Sequence, residues 1–216
     1  MPPVISPQLA YSILVGPSTL SALKTYAIRL AGGAVGGVLP FEMSSDGRIN
    51  IEAQGANPRV GNYHIIHAYN IPMDSEVVNG VANVNLAQIG ATNVPANPNA
   101  NNKLFVTGQL TGCSFVIQPD GAGGLNLAHI QPDGARATPG AGALASAGTS
   151  LELDIQNTGC FNGQANSDGL IVIGGRSYQH TGNGSVLGVH KADGWHVYFQ
   201  INAGYDVISA TEVYTP

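Results

Sequence analysis

Glycine and proline break this chain so often that few segments outlast a short strand: 29 glycines and 13 prolines are spread over 216 residues. Both residue types disfavour helix interiors. Between the breaks, apolar and polar residues alternate, the period of a strand with two unlike faces. In "WHVYFQI", Trp195, Val197, Phe199 and Ile201 share one face, and His196, Tyr198 and Gln200 the other. "VLPFEM" and "RINIEA" flank "SSDG", which reads as a hairpin with Asp46-Gly47 in its turn. Asp193-Gly194 marks a second hairpin. Further strands are expected at "NYHIIHAY", Leu104–Leu110, Ser114–Gln118, Leu125–Ile130, "LELDI", "GLIVIGG", "SVLGVH" and "YDVISATEVY". One helix is expected early: Pro17 and Ser18 open it, Leu20, Leu23, Ala27, Leu30 and Ala31 form its stripe, and Gly32-Gly33 close it. The Asn-, Ala- and Pro-rich run from Val77 to Asn102 reads as a loop or insertion. These patterns specify an α+β class: one domain over residues 1–216, with a β-sandwich-like core of mostly antiparallel strands and an N-terminal helix.

Composition narrows the function. Charged residues are only 10% and the net charge is −5, which argues against nucleic acid, since phosphate recognition needs clustered Lys and Arg. No run of about 18 apolar residues offers a membrane span. "MPPVISPQLAYSILVGPS" lacks the basic start and unbroken apolar stretch of a signal peptide, so a cytosolic origin, or export by a route that reads no such signal, is expected. Neither metal nor cofactor is expected. His64 and His67 in "HIIH" fall on opposite strand faces, with no cysteine or carboxylate cluster to complete a zinc site. "IGGRSYQHTGNG" lacks the strand and helix that frame a nucleotide loop. Glu152 and Asp154 have no second acid pair for glycosidase work, and no GxSxG elbow is present. His180 reads as a loop residue, and His190 and His196, flanking "KADG", as solvated hairpin positions.

The chemistry-bearing stretch is "KLFVTGQLTGCSFVIQPDGAGGLNLAHIQPDG". Cys113 follows Gly112, which lets backbone approach a substrate closely. If Ser114–Gln118 and Leu125–Ile130 pair antiparallel, His129 comes near register with Cys113. An imidazole in contact can lower a thiol pKa from about 8.5 to below neutrality. The plain alternative is a buried, inert cysteine, among the most buried residue types. Cys160 reads as structural, and a Cys113–Cys160 disulfide is open on sequence grounds.

"TGQLTGC" resembles the Leu-(Ser/Thr)-Gly-Cys motif of bacterial toxins with glutamine deamidase activity, the cytotoxic necrotizing factor catalytic domains and the Burkholderia lethal factor. The lethal factor carries a threonine six residues before its cysteine and a histidine on the next strand; Thr107 and His129 match these. The likeness covers Thr107–His129, about a tenth of the chain, and the loop before His129 is longer here. The resemblance implies a hydrolase: a bacterial effector, made in the bacterial cytoplasm and acting monomerically in a host cytosol. Its substrate would be a glutamine on a host protein, a GTPase or a translation-initiation helicase within the family. Cys113 would be the nucleophile, His129 the base and Thr107 an orienting group. Two alternatives stay open: transglutaminase-like acyl transfer, and a non-catalytic β-sandwich binding or structural module. For Thr107 to serve, the chain must bend, because six residues of regular strand span about 20 Å. Gly108 and Gly112 are where a bend is sterically easiest.

Overall fold

A computed structural model describes residues 2–55, 61–75, 92–131, 171–174, 177–178 and 181–216. The "LELDI" segment with Glu152 and Asp154, together with Cys160 and His180, lies outside the described residues. Helices α1 (Pro7–Val15) and α2 (Thr19–Thr25) come first. The strands are β1 (Ile28–Ala31), β2 (Gly37–Ser45), β3 (Ile49–Ala53), β4 (His64–Ile71), β5 (Met73–Ser75), β6 (Thr92–Val94) and β7 (Leu104–Thr107). They continue with β8 (Ser114–Pro119), β9 (Leu125–Gln131), β10 (Ile171–Ile173), β11 (Asn183–Lys191), β12 (Gly194–Ala203) and β13 (Asp206–Tyr214). The chain is α+β with a β-sandwich-like core, as its punctuation and alternation imply. Among the described residues, no helix is long and apolar enough to cross a membrane.

The larger sheet runs β1-β3-β2-β4-β7-β11-β12-β13; the smaller runs β10-β8-β9-β5. Two short strands share the outer edge of β9. β5 lies parallel along His129–Gln131, and β6 antiparallel along Leu125–Leu127. The larger sheet is apolar on both faces. Phe41, Met43, Ile51, Val106, Leu187 and Tyr198 pack with Leu14 and Leu23 of the helices. On the opposite face Phe105, Val186, Trp195, Val197 and Phe199 meet Phe115, Ile117, Leu125 and Leu127 of the smaller sheet. The result is helices, sheet, sheet. The alternation in β12 therefore divides two buried layers, with His196 and Gln200 buried as well.

The helical region differs from expectation. Helix α2 stops at Thr25, and Ile28–Ala31 forms a strand parallel to β3. Three polar side chains of β11 and β12 cause this. Gln200 Oε1 accepts from the Ile28 N–H at 2.7 Å, while Gln200 Nε2 donates to Leu23 O at 2.6 Å and Tyr26 O at 2.9 Å. Asn202 Nδ2 donates to Ile28 O at 3.0 Å, and the Ser185 hydroxyl donates there at 3.2 Å. Capturing both the last helical carbonyls and the first strand amide fixes the break. An unexpected helix, α1, starts where Ser6 Oγ accepts from the Leu9 N–H, with Pro7 in the first turn.

The β2–β3 hairpin forms with Gly47 at φ 99°, and β11–β12 with Gly194 at φ 132°. His196 is not solvated. Its Nδ1 lies 2.6 Å from Glu212 Oε1 and its Nε2 2.9 Å from Asp193 Oδ1. His190 is half-buried; its Nε2 donates to Ala96 O at 2.9 Å and its ring stands edge-on to Trp195. The expected loop holds strand β6, beside which Trp195 Nε1 donates to Pro95 O at 2.8 Å.

Candidate active site

Thr107 ends β7 in the larger sheet, and Ser114 begins β8 in the smaller one. Residues 108–113 therefore carry the chain from one sheet to the other. Leu110 and Gly184 exchange backbone hydrogen bonds of 2.7 and 2.9 Å, tying this crossing to β11. Gly112, at φ 144°, supplies the turn that a side chain would resist. Tyr178 then clamps it: its hydroxyl accepts from the Gly112 N–H at 2.8 Å and donates to Cys113 O at 2.7 Å. β8 and β9 pair antiparallel with Phe115 opposite His129. Both point into the space between the sheets, and Cys113, two residues before Phe115, joins the same inter-sheet cluster.

Thr107 and His129 meet across that space. Thr107 Oγ1 lies 2.6 Å from His129 Nδ1 and donates its one proton to Ile71 O at 2.9 Å. A hydroxyl whose proton is committed to a carbonyl can only accept from the imidazole. His129 thus carries its proton on Nδ1, leaving Nε2 as a bare lone pair. That nitrogen is buried without a hydrogen-bond partner among the described residues. Burial pushes the imidazole down to about 4, so the ring is neutral at ordinary pH. Gly108 gives the ring room: a Cβ there would stand 3.8 Å from Cε1. Behind it, Gly32 packs on the Thr107–Gly108 backbone so closely that a Cβ would come 2.9 Å from the Gly108 nitrogen.

Cys113 is a free, buried thiol, 5% exposed. Its sulfur lies 4.0 Å from Met73 Sδ. Burial raises the thiol pKa, and the Thr111 backbone N–H offsets this in smaller part. The anticipated thiolate held by imidazole contact is therefore not the resting state. Cys113 and His129 make no hydrogen bond, and each is neutral because desolvation disfavours its charged form. What the arrangement offers is a protonated thiol and an oriented, unprotonated base on one side of one sheet.

Two neighbours escape sequence reasoning, Tyr178 and Met73. Tyr178 sits in a glycine-containing stretch that carries no motif, and nothing local ties it to Cys113. Met73 is brought in by its parallel pairing beside His129, which no local pattern announces. Among the described residues no group of three or more His, Cys, Asp or Glu could hold a metal ion. An open depression of about 580 Å³, lined by Gly16, Pro17, Lys103, Lys191 and Asp193 among others, shares no residue with this site. Neither a model of a known protein family nor any curated protein sequence matches the chain.

Proposed function

We propose that the protein is a cysteine-dependent protein glutamine deamidase, an effector that converts a host glutamine to glutamate. The observation that carries this reading is the Thr107–His129 pair, which leaves Nε2 bare on the side of β8 and β9 that also bears Cys113. As a glutamine carboxamide enters, Nε2 takes the thiol proton and the sulfur attacks the carboxamide carbon. Backbone N–H groups, including that of Cys113, hold the tetrahedral oxyanion. The imidazolium returns its proton to the nitrogen, ammonia leaves and a thioester remains. Water, deprotonated by Nε2, attacks the thioester; the thiol departs with that proton, and glutamate is released. Thr107 accepts from Nδ1–H in both the neutral and the charged ring, so the hydrogen bond persists through the cycle. An amine in place of water would give transglutamination on the same residues.

By the Leu-Thr-Gly-Cys resemblance, the substrates to try first are GTPases and a translation-initiation helicase. The test is peptide mapping of these host proteins after incubation, seeking a Gln-to-Glu change absent with Cys113→Ala. The burial and neutrality of Cys113 favour a second reading, a non-catalytic β-sandwich module. Folded protein that converts no glutamine and releases no ammonia supports that second reading.

A further inference from the structure

The thiol has one neighbour that the proposed chemistry does not use. Met73 belongs to β5 and is the parallel partner of His129, so both side chains rise from the same face. Its sulfur stands 4.0 Å from Cys113 Sγ, yet the residue is 51% exposed, while Cys113 is 5% exposed and His129 fully buried. An exposed methionine resting on a buried thiol is a cover that can be moved. Its side chain is unbranched with three rotatable bonds and adapts at low cost. The chemical match is closer than shape alone. Methionine carries sulfur at the δ position, and glutamine carries its carboxamide carbon at the same δ position, each after two methylenes. In the resting protein, a δ atom therefore already lies against the nucleophile.

We propose that Met73 occupies the slot a substrate glutamine takes, so that its rotation exposes Cys113 and its methylenes then line the incoming side chain. This rests on the deamidase reading for the identity of the incoming group, but the occlusion of Cys113 stands apart from it. The slot accepts a chain with two methylenes before the carboxamide. Asparagine, one methylene shorter, falls short of the sulfur while Met73 lines the path. Met73 is a specificity and gating residue and donates or accepts no proton.

The experiment measures the rate at which iodoacetamide alkylates Cys113 in the full chain, for wild type, Met73→Ala and Met73→Leu. Peptide mapping confirms the site, and the thermal midpoint confirms the fold. Met73→Ala should raise the alkylation rate about tenfold at an unchanged midpoint, because thiol reactivity follows access. Met73→Leu, which refills the space, should stay near wild type. An unchanged rate in folded Met73→Ala, or an equal rise in both variants, overturns the proposal. Wherever glutamine conversion is measured, Met73→Ala should also narrow the preference for glutamine over asparagine peptides; an unaltered preference removes the specificity role. Faster labelling in Met73→Ala without glutamine conversion by wild type keeps the gate and removes the deamidase. Conversion with unresponsive labelling does the reverse.

Discussion

At the scale of single residues, one proton decides the character of the site. Because the Thr107 proton goes to Ile71 O, the orientation of His129 depends on a backbone carbonyl of β4. Removing the hydroxyl leaves Nδ1–H without its acceptor and takes one donor from that carbonyl. Thr107→Ala should cost about 1–3 kcal/mol of stability and lower the glutamine turnover rate by roughly 10–100-fold, whereas Thr107→Ser should retain most of both. Steady-state kinetics and denaturant unfolding on the same preparations separate the two effects. The thiol makes a second prediction. Since burial raises the Cys113 pKa, the thiolate fraction climbs through neutrality and beyond pH 9. Alkylation should accelerate about tenfold per pH unit across that range. A plateau between pH 5 and 8 would mean a preformed thiolate–imidazolium pair instead. Cys113, His129 and Thr107 were all legible as candidates from spacing and motif. Their neutrality was not, because desolvation depends on what covers a group, and spacing says nothing of cover.

At the scale of elements, strands were more legible than helices, for a physical reason. Alternation reports a strand wherever its two sides meet different surroundings, and β2, β3, β8, β9 and β11 to β13 were each marked by it or by a flanking turn. The segment after Pro17 does not tell one helix from a helix followed by a strand, because Leu23, Ala27 and Leu30 are all buried and fit both. What separates the two outcomes is distant. Gln200 lies 177 residues from the Leu23 carbonyl it binds. Gln200→Ala should therefore cost about 3 kcal/mol, since it takes the partner from the buried Ile28 N–H and Leu23 carbonyl and from the partly buried Tyr26 carbonyl. Urea unfolding would register this as a lower midpoint. Gly188 presents a related long-range fit: a Cβ there would overlap the Phe105 ring on the neighbouring strand. Nothing in "SVLGVH" marks that glycine as different from a turn residue.

For the whole molecule, the buried imidazole links stability to acidity. His129 titrates at about 4 when folded against 6.5 for an ordinary histidine. Between those values the unfolded chain binds the extra proton, so stability rises with pH across that window and is lost on acidification through it. The difference amounts to about 3 kcal/mol, complete below pH 4. Glu212, where burial is outweighed by hydrogen bonds from His196 and Tyr198, and Asp193, lowered chiefly by its bond with His196, also weaken the fold in acid, but through values below their ordinary 4.5 and 3.8. Unfolding free energies for wild type and His129→Gln between about pH 3 and 7 would separate these contributions. The variant should lose the slope above pH 4.5 and keep the decline below it.

The passage of residues 108–113 from one sheet to the other has a consequence for how the protein comes into being. Thr107 belongs to the first layer, Cys113 and His129 to the second, and the clamp on Gly112 comes from Tyr178, 66 residues on. No fragment holding only one layer contains both Thr107 and His129, and the hold on Gly112 exists only with Tyr178 in place. The Thr107–His129 pair is therefore an assembly of the two layers, and on the proposed function a chain whose layers have not closed on each other would lack the oriented base.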